Sequence, residues 1–108
     1  MPNTPPKANS RKHWKDPRRL YSWTKCRNKY KEQFYCCQRC QYLGTVDRLS
    51  YENLSIHHIE RVFEAPHKVL DWSNLLTVCK ACKIHFDTME RQGYTEQAKQ
   101  EGWEIKGQ

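Results

Sequence analysis

Val78-Cys79-Lys80-Ala81-Cys82-Lys83 contains a Cys-x-x-Cys turn, which offers two thiolates to one metal ion and so constrains the whole chain. A turn of the same spacing stands earlier, at Cys37-Gln38-Arg39-Cys40. Together the two knuckles supply the four soft ligands of a tetrahedral structural zinc site. The 38 residues between them (41–78) exceed the gap of a simple zinc ribbon, so the metal would clamp the two ends of an inserted motif. The bland alternative, reduced buried cysteines without metal, makes two correctly spaced pairs a coincidence. Cys36 rivals Cys37 but would need a three-residue spacer to Cys40. Cys26 has no partner in the sequence and reads as a small apolar residue on a helix.

Composition supports a stapled domain. A polar chain of 108 residues has a modest core, and a metal makes up the shortfall in apolar burial. Lysine and arginine total 19 against 12 acids, a net charge of +7. A zinc held by four thiolates would leave about +5. Such a surface suits DNA or RNA, with plain solubility as the competing explanation. Residues 1–10 contain no apolar stretch of the kind a signal peptide needs, and no run approaches the ~20 apolar residues of a membrane span. The expectation is a cytoplasmic protein, of a cell or of a phage-infected cell, whose six cysteines serve metal rather than disulfides.

The chain divides into a disordered basic arm (1–16), a central domain (17–94) and a short C-terminal helix and tail (95–108). Leu20, Trp23, Tyr30 and Phe34 recur at roughly helical spacing among basic residues, which predicts a basic helix over 18–33. Gly44 breaks the chain after the first knuckle, and 45–48 reads as a short strand or loop. An apolar strand is predicted over 54–62, a loop over 64–71, and a helix from about Cys82 to Arg91 stopping at Gly93. Thr95 would cap a last short helix running to about Lys99.

His57 and His58 lie inside the predicted strand, between the knuckles. Alternation would aim them to opposite faces, so the strand must end or bulge nearby if both are to serve one phosphate. A neutral imidazole can take a proton from water, and another can bind a divalent cation. A structural or solvated histidine is the ordinary alternative.

At this point Cys37-x2-Cys40, Ser55-Ile56-His57-His58-Ile59 and Asp71-Trp72-Ser73-Asn74-Leu75-Leu76-Thr77-Val78-Cys79-x2-Cys82 together resemble the zinc-containing HNH endonucleases, the small phage-type members most closely. The resemblance covers roughly residues 18–92. It implies an α+β fold of ββα-metal, treble-clef-like type: a hairpin and a helix gripping one catalytic cation beside the four-cysteine zinc. It also implies roles. His57 would ligate the cation (Mg²⁺, Mn²⁺ or Ni²⁺), His58 would be the general base, and Asn74 would hold the loop across the hairpin and keep His58 oriented. An ordinary turn residue is the plainer reading of Asn74.

One position departs from the family. The residue directly after the last knuckle cysteine is usually a histidine or asparagine facing the cation, and here it is Lys83. An ammonium has three donors and no lone pair, so it cannot ligate, and its charge would occupy the cation's place. His85 is about 200° further round the helix and points away from Lys83. Asp87, four residues on, shares Lys83's face and is a partner for the cation or for Lys83 itself. The resemblance implies a DNA endonuclease, and Lys83 reads as an inactivating substitution, a natural loss of catalysis or a tolerated variant with weaker metal binding, with impaired activity the favoured expectation. The alternative is a non-catalytic zinc module, or a packaging accessory of phage terminase subunits, monomeric or weakly dimeric. Arg18, Arg19, Lys25, Arg27, Lys29 and Lys31 on the first helix, with Arg61 near the histidines, are the candidate phosphate contacts.

Overall fold

The structure, a computed structural model, describes residues 14–107. Most of the arm expected over 1–16 lies outside them, but its last three residues are placed. Trp14 meets Phe63 edge-on with ring centroids 5.0 Å apart. Asp16 caps a 3-10 turn at Pro17–Arg19, its carboxylate accepting from the Arg18 N–H at 2.9 Å. That turn, followed by extended Leu20, delays the first helix. Helix α1 (Tyr21–Gln33) buries Trp23 and Tyr30, seven residues apart and so on one face.

Helix α2 (Gln38–Leu43) grows directly out of the first knuckle. Cys37 is its N-cap, with Sγ accepting from the Cys40 N–H at 3.4 Å. Gly44 closes it in the left-handed conformation at φ 73°, where a side chain would be strained. The segment after it is loop rather than strand, leading to a 3-10 turn at Arg48–Tyr51 that Asp47 caps.

Strand β1 (Ser55–His58) pairs antiparallel with β2 (Leu75–Val78), placing Ser55 opposite Val78 and His58 opposite Leu75. β1 is less than half the length expected, and Asn74 is the reason. The Ile59 N–H still donates to the Asn74 carbonyl at 2.9 Å, but the Glu60 N–H is captured by the Asn74 side chain at 2.8 Å. The ladder ends there.

Helix α3 (Lys80–Arg91) starts at the second knuckle with Cys79 as N-cap, slightly earlier than expected. Helix α4 (Thr95–Lys106) corrects the expectation more sharply. It spans 12 residues instead of fading near Lys99, and Tyr94 rather than Thr95 is its N-cap. Tertiary packing extends it: Ala98 and Gly102 are buried. A Cβ at Gly102 would lie 2.9 Å from both Ile59 Cγ1 and Cγ2, so glycine is what lets the helix and the hairpin meet.

The hairpin separates two apolar clusters, as its two-residue period requires. Leu76, Val78 and Ile59 pack with the four knuckle cysteines, Phe86 and Ala98. Ile56 and Leu75 pack on the other side with Trp23, Tyr30, Val62 and Val69.

Candidate active site

The knuckle thiols converge. All four Sγ atoms of Cys37, Cys40, Cys79 and Cys82 lie within 4.8 Å of one another, with Cys40 at 3.9 Å from both Cys79 and Cys82. A tetrahedron of Zn–S bonds of ~2.3 Å has edges of ~3.8 Å, so this set fits zinc. Burial pushes the Cys37 and Cys82 thiols above their ordinary range, and a bound metal is what makes four thiolates tenable there. Cys36 and Cys26 stand outside the set: their sulfurs face the carbonyls of Cys37 and Leu70 at 3.8 and 3.7 Å.

Two residues that sequence reasoning missed support the zinc site. Arg39 Nη1 reaches the Cys82 sulfur at 3.5 Å, and Arg39 Nε donates to Glu101 on α4 at 2.6 Å. Glu101 also receives His85 Nε2 at 2.8 Å. His85 thus faces α4, as its angular offset from Lys83 required. Glu101 lies in a segment read as tail, and no local signal marks it.

On the other side of β1 and α3 a cleft of about 740 Å³ opens, lined by His57, His58, Lys83 and Asp87 among others. β1 runs regularly through both histidines and ends at His58, which is how successive residues come to border one cleft. His57 is 2% exposed and stacks on Phe86, with ring centroids 4.3 Å apart. Burial above all, then the nearby positive charges, lowers its pKa to about 3, so the ring is neutral.

His58 leans on Trp23 at 4.8 Å, and its Nε2 lies 3.1 Å from the Val69 carbonyl. A carbonyl only accepts, so Nε2 carries the hydrogen, and the neutral ring keeps its lone pair on Nδ1. Burial lowers this pKa too, against the pull of the Val69 carbonyl. Asn74 is buried and clamps the loop that carries Val69. Its Oδ1 accepts from Glu60 N, while Nδ2 donates to the carbonyls of Glu60 at 3.1 Å and Lys68 at 3.5 Å.

Residues 37–85 match the family model described as HNH endonuclease. That stretch, 49 of the 108 residues, is similar to an HNH endonuclease domain. Comparisons with curated proteins and with solved structures gave no match. The antiparallel hairpin and α3, set against the cysteine cluster, give the matched region the α+β, ββα-metal fold expected of it. No helix among the described residues is long and apolar enough to cross a membrane.

The second metal of HNH enzymes fits less well. Lys83 Nζ sits in the cleft 3.1 Å from Asp87 Oδ1. Its charge reaches both histidines, lowering the pKa of each. Among the described residues, the four cysteines are the cluster of His, Cys, Asp or Glu able to hold a metal. His57 and Asp87, with an ammonium between the helix and the cleft, do not form a second one. Of the basic candidates, Arg18, Arg27, Lys31 and Arg61 line the cleft, whereas Arg19, Lys25 and Lys29 are exposed outside it. Glu90, missed by the sequence reading, joins the lining, and burial raises its pKa.

Proposed function

We propose that this HNH domain grips the phosphodiester backbone of DNA and holds His58 ready to activate water for its hydrolysis, with turnover limited by Lys83. The single observation carrying this reading is the Val69 carbonyl on His58 Nε2, at 3.1 Å. It leaves Nδ1 as the proton acceptor of a neutral base inside a basic cleft. In the hydrolytic step, Nδ1 takes the proton of a water whose oxygen attacks phosphorus, and the P–O3′ bond breaks. Products then carry a 5′-phosphate and a 3′-hydroxyl. Asn74 acts as a positioning residue, through the loop that presents Val69. Cys37, Cys40, Cys79 and Cys82 would hold the zinc, whose contribution is structural. No step is assigned to a divalent cation, because the donor set beside Lys83 does not suit one.

A second reading keeps the DNA contact and drops the cutting. It makes the chain a zinc-stapled binding module, or a packaging accessory of phage terminase subunits. The Lys83–Asp87 ion pair is the observation that favours it. Both readings share a cytoplasmic site of action and a monomeric or weakly dimeric chain.

Cleavage of supercoiled plasmid with Mg²⁺, Mn²⁺ or Ni²⁺ separates them. The Lys83→His protein is expected to cut at least tenfold faster than the natural chain, and His58→Ala in that background is expected to abolish cutting. If neither the natural chain nor Lys83→His cuts while both bind DNA, the binding module replaces the nuclease.

A further inference from the structure

Three nitrogen atoms on three different elements border the cleft with their hydrogen-bonding capacity unmet or half met. Arg27 Nε on α1 is buried without a partner, and so is His57 Nε2 on β1. Lys83 on α3 meets one carboxylate oxygen, from an Asp87 side chain that is 48% exposed. Buried polar groups without partners are costly, and convergent ones in a cleft point to a ligand that completes them.

The ligand's charge follows from the walls. The lining holds five cationic side chains against three carboxylates, Asp16, Asp87 and Glu90. Asp16 and Arg18 offset each other at 2.6 Å, and Arg61 is paired with Glu64 at 2.8 Å, which leaves Arg27, Lys31 and Lys83 against Asp87 and Glu90. An anion with several oxygen acceptors is therefore favoured, and a phosphodiester offers two non-bridging oxygens sharing one charge. Arg27 Nε, Lys83 Nζ and the Nε2–H tautomer of neutral His57 can all donate to such a group. The Lys83–Asp87 contact joins residues four apart on a partly solvated helix face, and pairs of that kind are weak enough to exchange. A divalent cation in the same place would instead face the Lys83 charge with few donors to offset it.

We propose that Lys83 is the built-in cation of this cleft and, with Arg27 and His57, holds one DNA phosphodiester in place of a divalent metal ion. DNA binding at the cleft then needs no added cation. The proposal rests on the DNA-directed reading above and deepens it.

Binding of a short labelled duplex to the zinc-loaded full chain, by fluorescence anisotropy across a salt series, tests it. The natural chain should bind equally well with and without Mg²⁺. Lys83→Met should weaken binding several-fold and lower the slope of log K against log salt by about 0.9, the signature of one lost phosphate contact. Asp87→Asn should tighten binding, because it releases Lys83. If Asp87 served a cation instead, the same variant would weaken Mg²⁺-dependent binding. Binding that needs Mg²⁺, or that is indifferent to Lys83→Met, overturns the built-in cation while leaving the DNA-directed reading in place. A natural chain that binds no DNA under either condition removes both.

Discussion

Asn74 is linked to His58 through the backbone of a loop that neither residue belongs to. Its Nδ2 lies 3.5 Å from the Lys68 carbonyl, and the next residue, Val69, presents its carbonyl to His58 Nε2 at 3.1 Å. The same side chain brackets Glu60, accepting from its N–H and donating to its carbonyl. One buried amide therefore ends β1 and anchors the loop whose Val69 carbonyl faces the candidate base.

Replacing that amide should separate chemistry from binding. Asn74→Ala leaves backbone groups unpaired at a buried site, and is expected to cost about 1–3 kcal/mol of stability. In the Lys83→His background, plasmid cleavage should fall at least tenfold while DNA affinity stays within about twofold. Equal losses in cleavage and affinity would mean that Asn74 merely holds the fold.

The zinc site should carry the stability of the whole domain. Cys79→Ser, or a strong chelator, is expected to abolish the cooperative melting transition seen by circular dichroism, since two knuckles and three helices meet at one cluster. Glu101→Gln tests the surrounding network more gently. It removes the charge that holds Arg39 against Cys82 and that receives His85. Competition with a zinc-binding dye should show affinity weakened by about tenfold, the usual scale for outer-shell partners of a metal site.

Gly102→Ala weighs two effects of opposite sign. Helix propensity favours alanine by about 1 kcal/mol. Against it, the new methyl would lie 2.9 Å from two carbons of fully buried, β-branched Ile59, which cannot swing aside. Overpacking of this kind costs about 1–3 kcal/mol, so a net loss is expected in denaturant unfolding. A stabilised Gly102→Ala protein would show that α4 can shift away from the hairpin.

Acid should unfold the domain partly through His57. Its folded pKa of about 3 lies below the ordinary imidazole value of 6.5, mainly because of burial. Between those values the unfolded chain binds a proton that the folded chain refuses. Stability is therefore full above about pH 6.5 and declines as pH falls towards 3. Melting temperatures across that range should show a shallower acid limb for His57→Gln than for the natural chain. Parallel curves would assign the acid sensitivity to other groups, the zinc thiolates first among them.

Much of this site is written in residue identity and short spacing. Four cysteines in two Cys-x-x-Cys turns, two histidines on an apolar strand, Asn74 before the second knuckle and Lys83 after it are all visible along the chain, because ligand chemistry and i,i+4 helical proximity are local. Even the Lys83–Asp87 pair is of that kind. Contacts between distant segments, by contrast, come from three-dimensional packing. Arg39 meets Glu101 across 62 residues, Gly102 admits Ile59, and only four of the seven basic candidates share the cleft with the histidines. The group that meets His58 Nε2 is a backbone carbonyl, which every residue possesses, so nothing in the identity of Val69 could announce it. Helix α4 was misjudged for a related reason: its length is set by the core it covers, and intrinsic propensity along 95–106 does not record that core.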